Sequence, residues 1–180
     1  MDSLVRFWEF AEKLKSEPRK GWLKKLRLQR TESVADHSFA LSVICLFEGL
    51  RRGYNSERMV KLAILHDLEE AVTGDLSPEE KDTKGQVAVE REKISAREKL
   101  LSYAPKESQR IYSELWLELD ENKTREARLV HELDKLEMAL QAHAYSRSGV
   151  EFNKLREFYE SAKNAIEDPE IRNLLNELSS

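Results

Sequence analysis

Leu occurs 25 times in this chain of 180 residues, against nine Val, six Ile and four Thr, and the apolar residues recur at three- and four-residue steps instead of alternating. Straight-chain and γ-branched residues lose little rotamer freedom in a helix, whereas strands favour β-branched ones, so the pattern predicts an all-α chain. The length fits one domain, and no linker or repeat of fixed period interrupts residues 1–180. Only six Gly and four Pro accompany 40% hydrophobic and 36% charged residues, which excludes collagen-like and low-complexity classes.

Start and stop signals place the helices. Leu4, Phe7, Trp8, Ala11 and Leu14 step along a first helix that ends before Pro18. Ser33 and Asp36 form a capping box opening a helix through Val34, His37, Leu41, Ile44 and Leu50. A third helix, starting near Asn55 or Ser56, is expected to carry Leu65-His66-Asp67-Leu68-Glu69-Glu70 and to stop at Gly74. Ser77-Pro78-Glu79-Glu80 starts another, and further helices are expected over about 86–103, 106–120, 124–146, 151–167 and 169–178.

Formal net charge is −4, which repels a nucleic-acid polymer or an anionic membrane, so neither is an expected partner. No stretch approaches the length of a membrane span, and the N-terminus lacks a signal-peptide core. The single Cys45, in an apolar run, reads as a buried free thiol of a reducing, cytoplasmic protein. Against this acidic background the segment from Arg19 to Arg30 carries six basic residues, Arg19, Lys20, Lys24, Lys25, Arg27 and Arg30, and no acid. Any anionic ligand is expected there.

Four polar residues fall within apolar helical runs: His37, the adjacent His66-Asp67, and Asp134 in Leu133-Asp134-Lys135-Leu136. Each alone is the kind of residue a hydrogen-bonded core contains. Together they are two imidazoles and two carboxylates on three helices, a mixed N/O set for one divalent cation with positions left for water. Glu70, four residues after His66 and three after Asp67, shares their helical face, while Glu69 is turned away and reads as a solvated helix-end acid.

One His, then a contiguous His-Asp, then a distant Asp is the pattern of the HD-domain phosphohydrolases, and the chain resembles that family from about residue 4 to the Pro169 helix. The contexts Glu32-Ser33-Val34-Ala35-Asp36-His37, Leu65-His66-Asp67-Leu68-Glu69-Glu70-Ala71-Val72-Thr73-Gly74-Asp75 and Leu133-Asp134-Lys135-Leu136-Glu137 look like its 5'-deoxynucleotidase branch. The resemblance implies a single HD-type helical domain with a metal site between core helices. His37, His66, Asp67 and Asp134 would hold one ion of Mn, Co, Fe, Ni, Zn or Mg, with Glu70 as catalytic acid/base. It further implies that Arg19 and Trp22 of Arg19-Lys20-Gly21-Trp22 form the substrate loop, where Arg grips phosphate and Trp covers a sugar or base, with Arg30 the next candidate for phosphate. Trp22 packed in the core remains the alternative, as does Asp75 as a cap toward Ser77 instead of a selector of deoxyribose.

The expected reaction is hydrolysis of 2'-deoxynucleoside 5'-monophosphates to nucleoside and phosphate. A cyclic nucleotide, a deoxynucleoside triphosphate and a guanosine alarmone are rival substrates. Alarmone hydrolases of the superfamily usually carry Asp where Ala71 stands, and binuclear phosphodiesterases need more histidines than His131 and His143, which fall off the pattern and read as surface or partly buried. A helical regulatory module that keeps its metal for stability is the rival from another class. Trp116, Leu117 and Leu119 are expected to leave apolar surface for a homodimer.

Overall fold

The computed structural model of the chain describes residues 3–26, 28 and 30–178. Arg27 of the basic segment lies outside them. The described residues form eleven α-helices in two compact units. The first comprises the described residues up to 39 and those of 64–121, the second 40–63 and the described residues from 122 onward. The boundaries at Phe39 and Ala63 fall inside helices, which is why the sequence shows no linker there.

The first unit holds α1 (Ser3–Leu14), α2 (Lys20–Lys25), the first turns of α3 (Val34–Arg52), the end of α4 (Ser56–Leu65), α5 (Glu70–Thr73), α6 (Pro78–Lys84), α7 (Gln86–Tyr103) and α8 (Lys106–Glu121). Helix α1 packs on α5 and α7. The ridge it buries runs through Phe10 and Leu14, with Phe7 half-buried and stacked on Tyr112 at 5.8 Å; Leu4, Trp8 and Ala11, expected on the inward face, are exposed. Apolar residues surround this helix, so its periodicity admits more than one inward face, and the aromatic rings Tyr103 and Tyr112 decide which one packs.

The basic segment, expected to be loop throughout, contains the short helix α2. Six residues do not hold a helix alone. Here Trp22 is buried beneath it and donates Nε1–H to Glu32 Oε2 at 2.9 Å, while the Asp75 carboxylate accepts the Lys20 N–H at 2.5 Å, capping the helix from a distant loop. Lys24 and Lys25 are partly exposed and face α6: Lys24 Nζ donates to Ser77 Oγ at 2.7 Å and lies 3.5 Å from Glu80, and Lys25 lies 3.9 Å from Glu79.

The capping boxes form as the sequence predicts. Ser33 and Asp36 exchange bonds at 3.0 and 3.1 Å, and Ser77 and Glu80 at 2.8 and 3.3 Å. In α3 the buried line is Val34, His37, Leu41 and Cys45, and Leu50, expected on it, is exposed.

The second unit holds the rest of α3 and α4 with α9 (Arg125–Arg147), α10 (Phe152–Ala165) and α11 (Pro169–Leu178). Helix α9 is the longest and packs on α10 and α11, burying Leu129, Val130, Leu133 and Leu136. Asp168 caps α11 through the Ile171 N–H at 3.0 Å and receives Arg52, which also grips Glu48 at 2.7 Å. Gly49 lets α3 and α4 approach: a Cβ there would lie 2.8 Å from the Ser56 Cα.

Candidate active site

Helix α4 ends at Leu65 because the Trp116 indole takes the Leu65 carbonyl, donating Nε1–H at 2.8 Å. Beyond Leu65 the chain makes a tight turn whose bonds span three residues: Leu68 N–H to Leu65 O, Glu70 N–H to Asp67 O and Ala71 N–H to Leu68 O, at 3.3, 3.1 and 3.2 Å. The expected single helix from Ser56 to Gly74 is therefore α4, a turn of 3₁₀ character and α5, closed by Gly74 at φ +72°. Three residues per turn set Asp67 and Glu70 on one face. The four-residue step from His66 is not what aligns them.

His37, fully buried on α3, and His66 turn their Nε2 atoms toward each other at 3.1 Å, and Asp67 Oδ2 lies 2.9 Å from His66 Nε2. Each pair is spaced as two ligands of one cation would be: ligands ~2.1 Å from a metal lie ~3.0 Å apart at right angles. Burial tends to raise the Asp67 carboxyl, but His66, Arg19 and His37 outweigh it and hold it below the usual carboxylate range. The donor set and its spacing fit the divalent ion expected from sequence.

Asp134 belongs to the second unit. On α9 it is partly buried, 2.8 Å from Lys135 Nζ. Its charge adds to burial in pushing the thiol of the buried Cys45 up to about 12. His131 is exposed and His143 partly buried.

A cleft of about 210 Å³ opens beside His66 and Asp67, lined also by Glu69, Glu70, Thr73 and Lys81. Glu70 Oε2 is buried with no hydrogen-bond partner among the described residues. Burial, joined by the negative charges of Asp67 and Asp75, pushes the Glu70 carboxyl up to about 10, against Arg19 and Lys81. Arg19 lies beside Asp67, its Nη1 3.7 Å from Asp67 Oδ2. Asp75 is buried, with its N–H donating to Glu17 Oε1 at 3.0 Å and its carboxylate capping α2, so it ties the two loops of the site together and does not cap toward Ser77, which Glu80 serves. Trp22, only 1% exposed, offers no open face for a sugar or base, and of the two readings left open by the sequence the structure shows the packed one.

Glu69 corrects the expectation of a solvated acid. It is 4% exposed, and Arg97 Nη2 donates to its Oε1 at 3.1 Å. Burial pushes its carboxyl up, with Arg97 and Lys93 opposing. Arg97, Lys93, Glu17 and Glu32 were missed from sequence. The signal for Arg97 was its place one residue from Ala96 and three from Leu100, the inward positions of α7.

Comparison with known proteins agrees with this geometry. The HD domain family model matches residues 11–174. Human 5'-deoxynucleotidase HDDC2 is 33% identical over 178 residues, covering 99% of this chain and 85% of that protein. The Schizosaccharomyces pombe 5'-deoxynucleotidase hdd1 is 30% identical over 179 residues, covering 98% and 88%. The crystal structure of the PH0347 protein from Pyrococcus horikoshii matches with a TM-score of 0.79 at 32% identity, over 97% of this chain and 98% of that one. The chain belongs to the HD domain family.

Proposed function

We propose that this protein is a metal-dependent phosphohydrolase that removes the 5'-phosphate from 2'-deoxynucleoside 5'-monophosphates. The observation that carries the reading is that His66 Nε2 faces both His37 Nε2 and Asp67 Oδ2 beside a cleft lined by Glu70, with Arg19 3.7 Å from the same Asp67 oxygen. The names of the human and yeast relatives support the deoxynucleotide class.

In this reading His37, His66 and Asp67 hold one divalent ion, with Asp134 as the fourth ligand by the family's order of residues. The ion supplies Lewis acidity toward water and phosphoryl oxygens, and the same donor set accepts Mn, Co, Fe, Ni, Zn or Mg. Arg19 holds the phosphate through its planar guanidinium, which Lys cannot reproduce. Glu70, with its proton retained by burial, donates to the leaving 5'-oxygen or orients the attacking water. Asp75 acts at the sugar from the segment between α5 and α6, its carboxylate accepting from a 3'-hydroxyl as well as from the first turn of α2. Trp22 serves from beneath, fixing the loop that presents Arg19. We further propose one functional domain acting in the cytoplasm. No described helix is long and apolar enough to cross a membrane.

A homodimer is part of the proposal, on a different surface from the one expected. Trp116 and Leu119 are buried, and only Leu117 of that trio is exposed; α3 instead exposes a run of apolar side chains, among them Val43, Phe47 and Leu50. Light scattering of the wild type and Phe47→Glu measures this, and equal monomer mass for both removes the dimer.

Phosphate release from a panel of nucleotides with added Mn²⁺ or Co²⁺ tests the activity. Glu70→Gln is expected to retain the metal and lose ~10²- to 10⁴-fold in kcat, while His66→Ala and Asp134→Ala lose metal. Stoichiometric metal in both of the latter, or activity only on alarmones or cyclic nucleotides, overturns the reading.

A further inference from the structure

Arg97 occupies a buried position of α7, 7% exposed, between the inward residues Ala96 and Leu100. A guanidinium costs stability there unless its charge is met. Its Nη1 donates to Asp120 Oδ2 at 2.5 Å, and its Nη2 to Asp120 Oδ1 at 3.2 Å and Glu69 Oε1 at 3.1 Å. Lys93, one turn earlier, lies 2.9 Å from Asp120 and 3.8 Å from Glu69, so two cations face two carboxylates. The guanidinium also lies over the Trp116 ring, 5.2 Å from its centroid.

Both of Arg97's inward contacts end on one short segment. Trp116 holds the Leu65 carbonyl, where the turn begins, and Glu69 is the residue immediately before Glu70. Between those points the Leu68 N–H bond to Leu65 O and the Glu70 N–H bond to Asp67 O span three residues, a poorer geometry than that of the four-residue bonds the turn would gain by relaxing into ordinary helix. Relaxation would rotate Glu70 about its axis relative to Asp67. Arg97 itself does not line the cleft.

We propose that Arg97 is a positioning residue: by gripping Glu69 and stacking on Trp116 it holds the His66–Glu70 turn in the form that presents Asp67 and Glu70 to the cleft. The inference rests on the hydrolase reading of that cleft. Arg97 acts through Glu69 and the backbone, because the peptide that orients Glu69 also sets the direction of the Glu70 side chain. Misplacement of a reacting group by about 1 Å costs on the order of 10²-fold in rate, so the clamp is read in kcat and in the mobility of the turn more than in substrate binding.

The test uses the full chain as Arg97→Met, Arg97→Lys, Glu69→Gln and the double variant Arg97→Met/Glu69→Gln. The measurements are Tm, amide hydrogen exchange of residues 66–70 without metal, the visible spectrum of added Co²⁺, and kcat and KM for phosphate release from a 2'-deoxynucleoside 5'-monophosphate. Arg97→Met should lower kcat on the order of 10- to 10²-fold with KM within about twofold, alter the Co²⁺ spectrum and speed exchange in the turn. Arg97→Lys should recover Tm but little of kcat, since one ammonium cannot bridge two carboxylates and cover a ring. The double variant removes the unpaired buried charge, so its Tm should return toward wild type while kcat stays low and exchange stays fast.

Recovery of kcat and slow exchange together with Tm in the double variant overturns the proposal and leaves Arg97 a stabilising ion pair. Unchanged exchange at 66–70 in Arg97→Met also overturns it. If Arg97→Met does not fold, Glu69→Gln decides: slowed turnover with fast exchange supports the clamp, and wild-type values of both refute it. A wild-type protein that releases no phosphate from any nucleotide removes the hydrolase reading, and the exchange and Co²⁺ results still judge the clamp.

Discussion

Glu69 and Glu70 are neighbours in sequence, and each has one buried oxygen without a hydrogen-bond partner among the described residues, yet only Glu69 is answered by a guanidinium at its other oxygen. A carboxyl raised to about 10 keeps in the folded state a proton that the unfolded chain, with an ordinary value of about 4.3, gives up. The folded state therefore binds more protons between those values, and stability falls as pH rises through that window. Thermal unfolding of the metal-free protein should show this decline, and Glu70→Gln, which cannot ionise, should flatten it; parallel curves would return Glu70 to an ordinary acid. Glu69→Ala is expected to cost ~1 to 3 kcal/mol in denaturant unfolding, the scale of a buried hydrogen bond to a charged group. A change within ~0.5 kcal/mol, the surface norm, would contradict its burial. Sequence spacing assigned Glu70 to the cleft and mistook Glu69 for a surface acid, because spacing tells which residues share a face and not which distant side chain, such as Arg97, meets the next one.

At the scale of elements, caps were legible and breaks were not. The capping boxes of α3 and α6 depend on residues three apart, so local sequence suffices for them. The end of α4 depends on an indole 51 residues away, and the cap of α2 on a carboxylate 55 residues away. Neither leaves a local signal. The α3–α4 crossing gives a prediction at this scale: Gly49→Ala places a methyl against the Ser56 backbone, which cannot move without α4, and should cost ~1 to 3 kcal/mol by overpacking. Helix propensity alone would make the same change stabilising by ~1 kcal/mol. The sign of the shift in urea midpoint therefore separates packing from propensity.

For the whole molecule, a metal held only by the folded state stabilises it by mass action, by ~2.7 kcal/mol when the free ion stands at a hundred times its dissociation constant. Chelation should accordingly lower the wild-type Tm and leave His66→Ala almost unaffected. An equal drop in both would show that the chelator acts elsewhere. Asp134→Ala carries the same comparison to the second unit, where α9 bears that carboxylate.

The sequence by itself determined that the chain is helical, where most helices start, and which His and Asp residues stand in the order His, His-Asp, Asp on apolar helical runs, since these depend on side-chain entropy, caps and periodicities read over a few residues. It also determined that the basic segment near Arg19 stands against an acidic background. Tertiary structure decided which face of α1 is buried, that Trp22 is core, that Asp75 caps α2, and that a 3₁₀ turn held by Trp116 aligns Asp67 with Glu70. Each of those outcomes turns on a partner brought close by folding. A buried polar group must find such a partner wherever the chain supplies one, and spacing along the sequence does not say which one it will be.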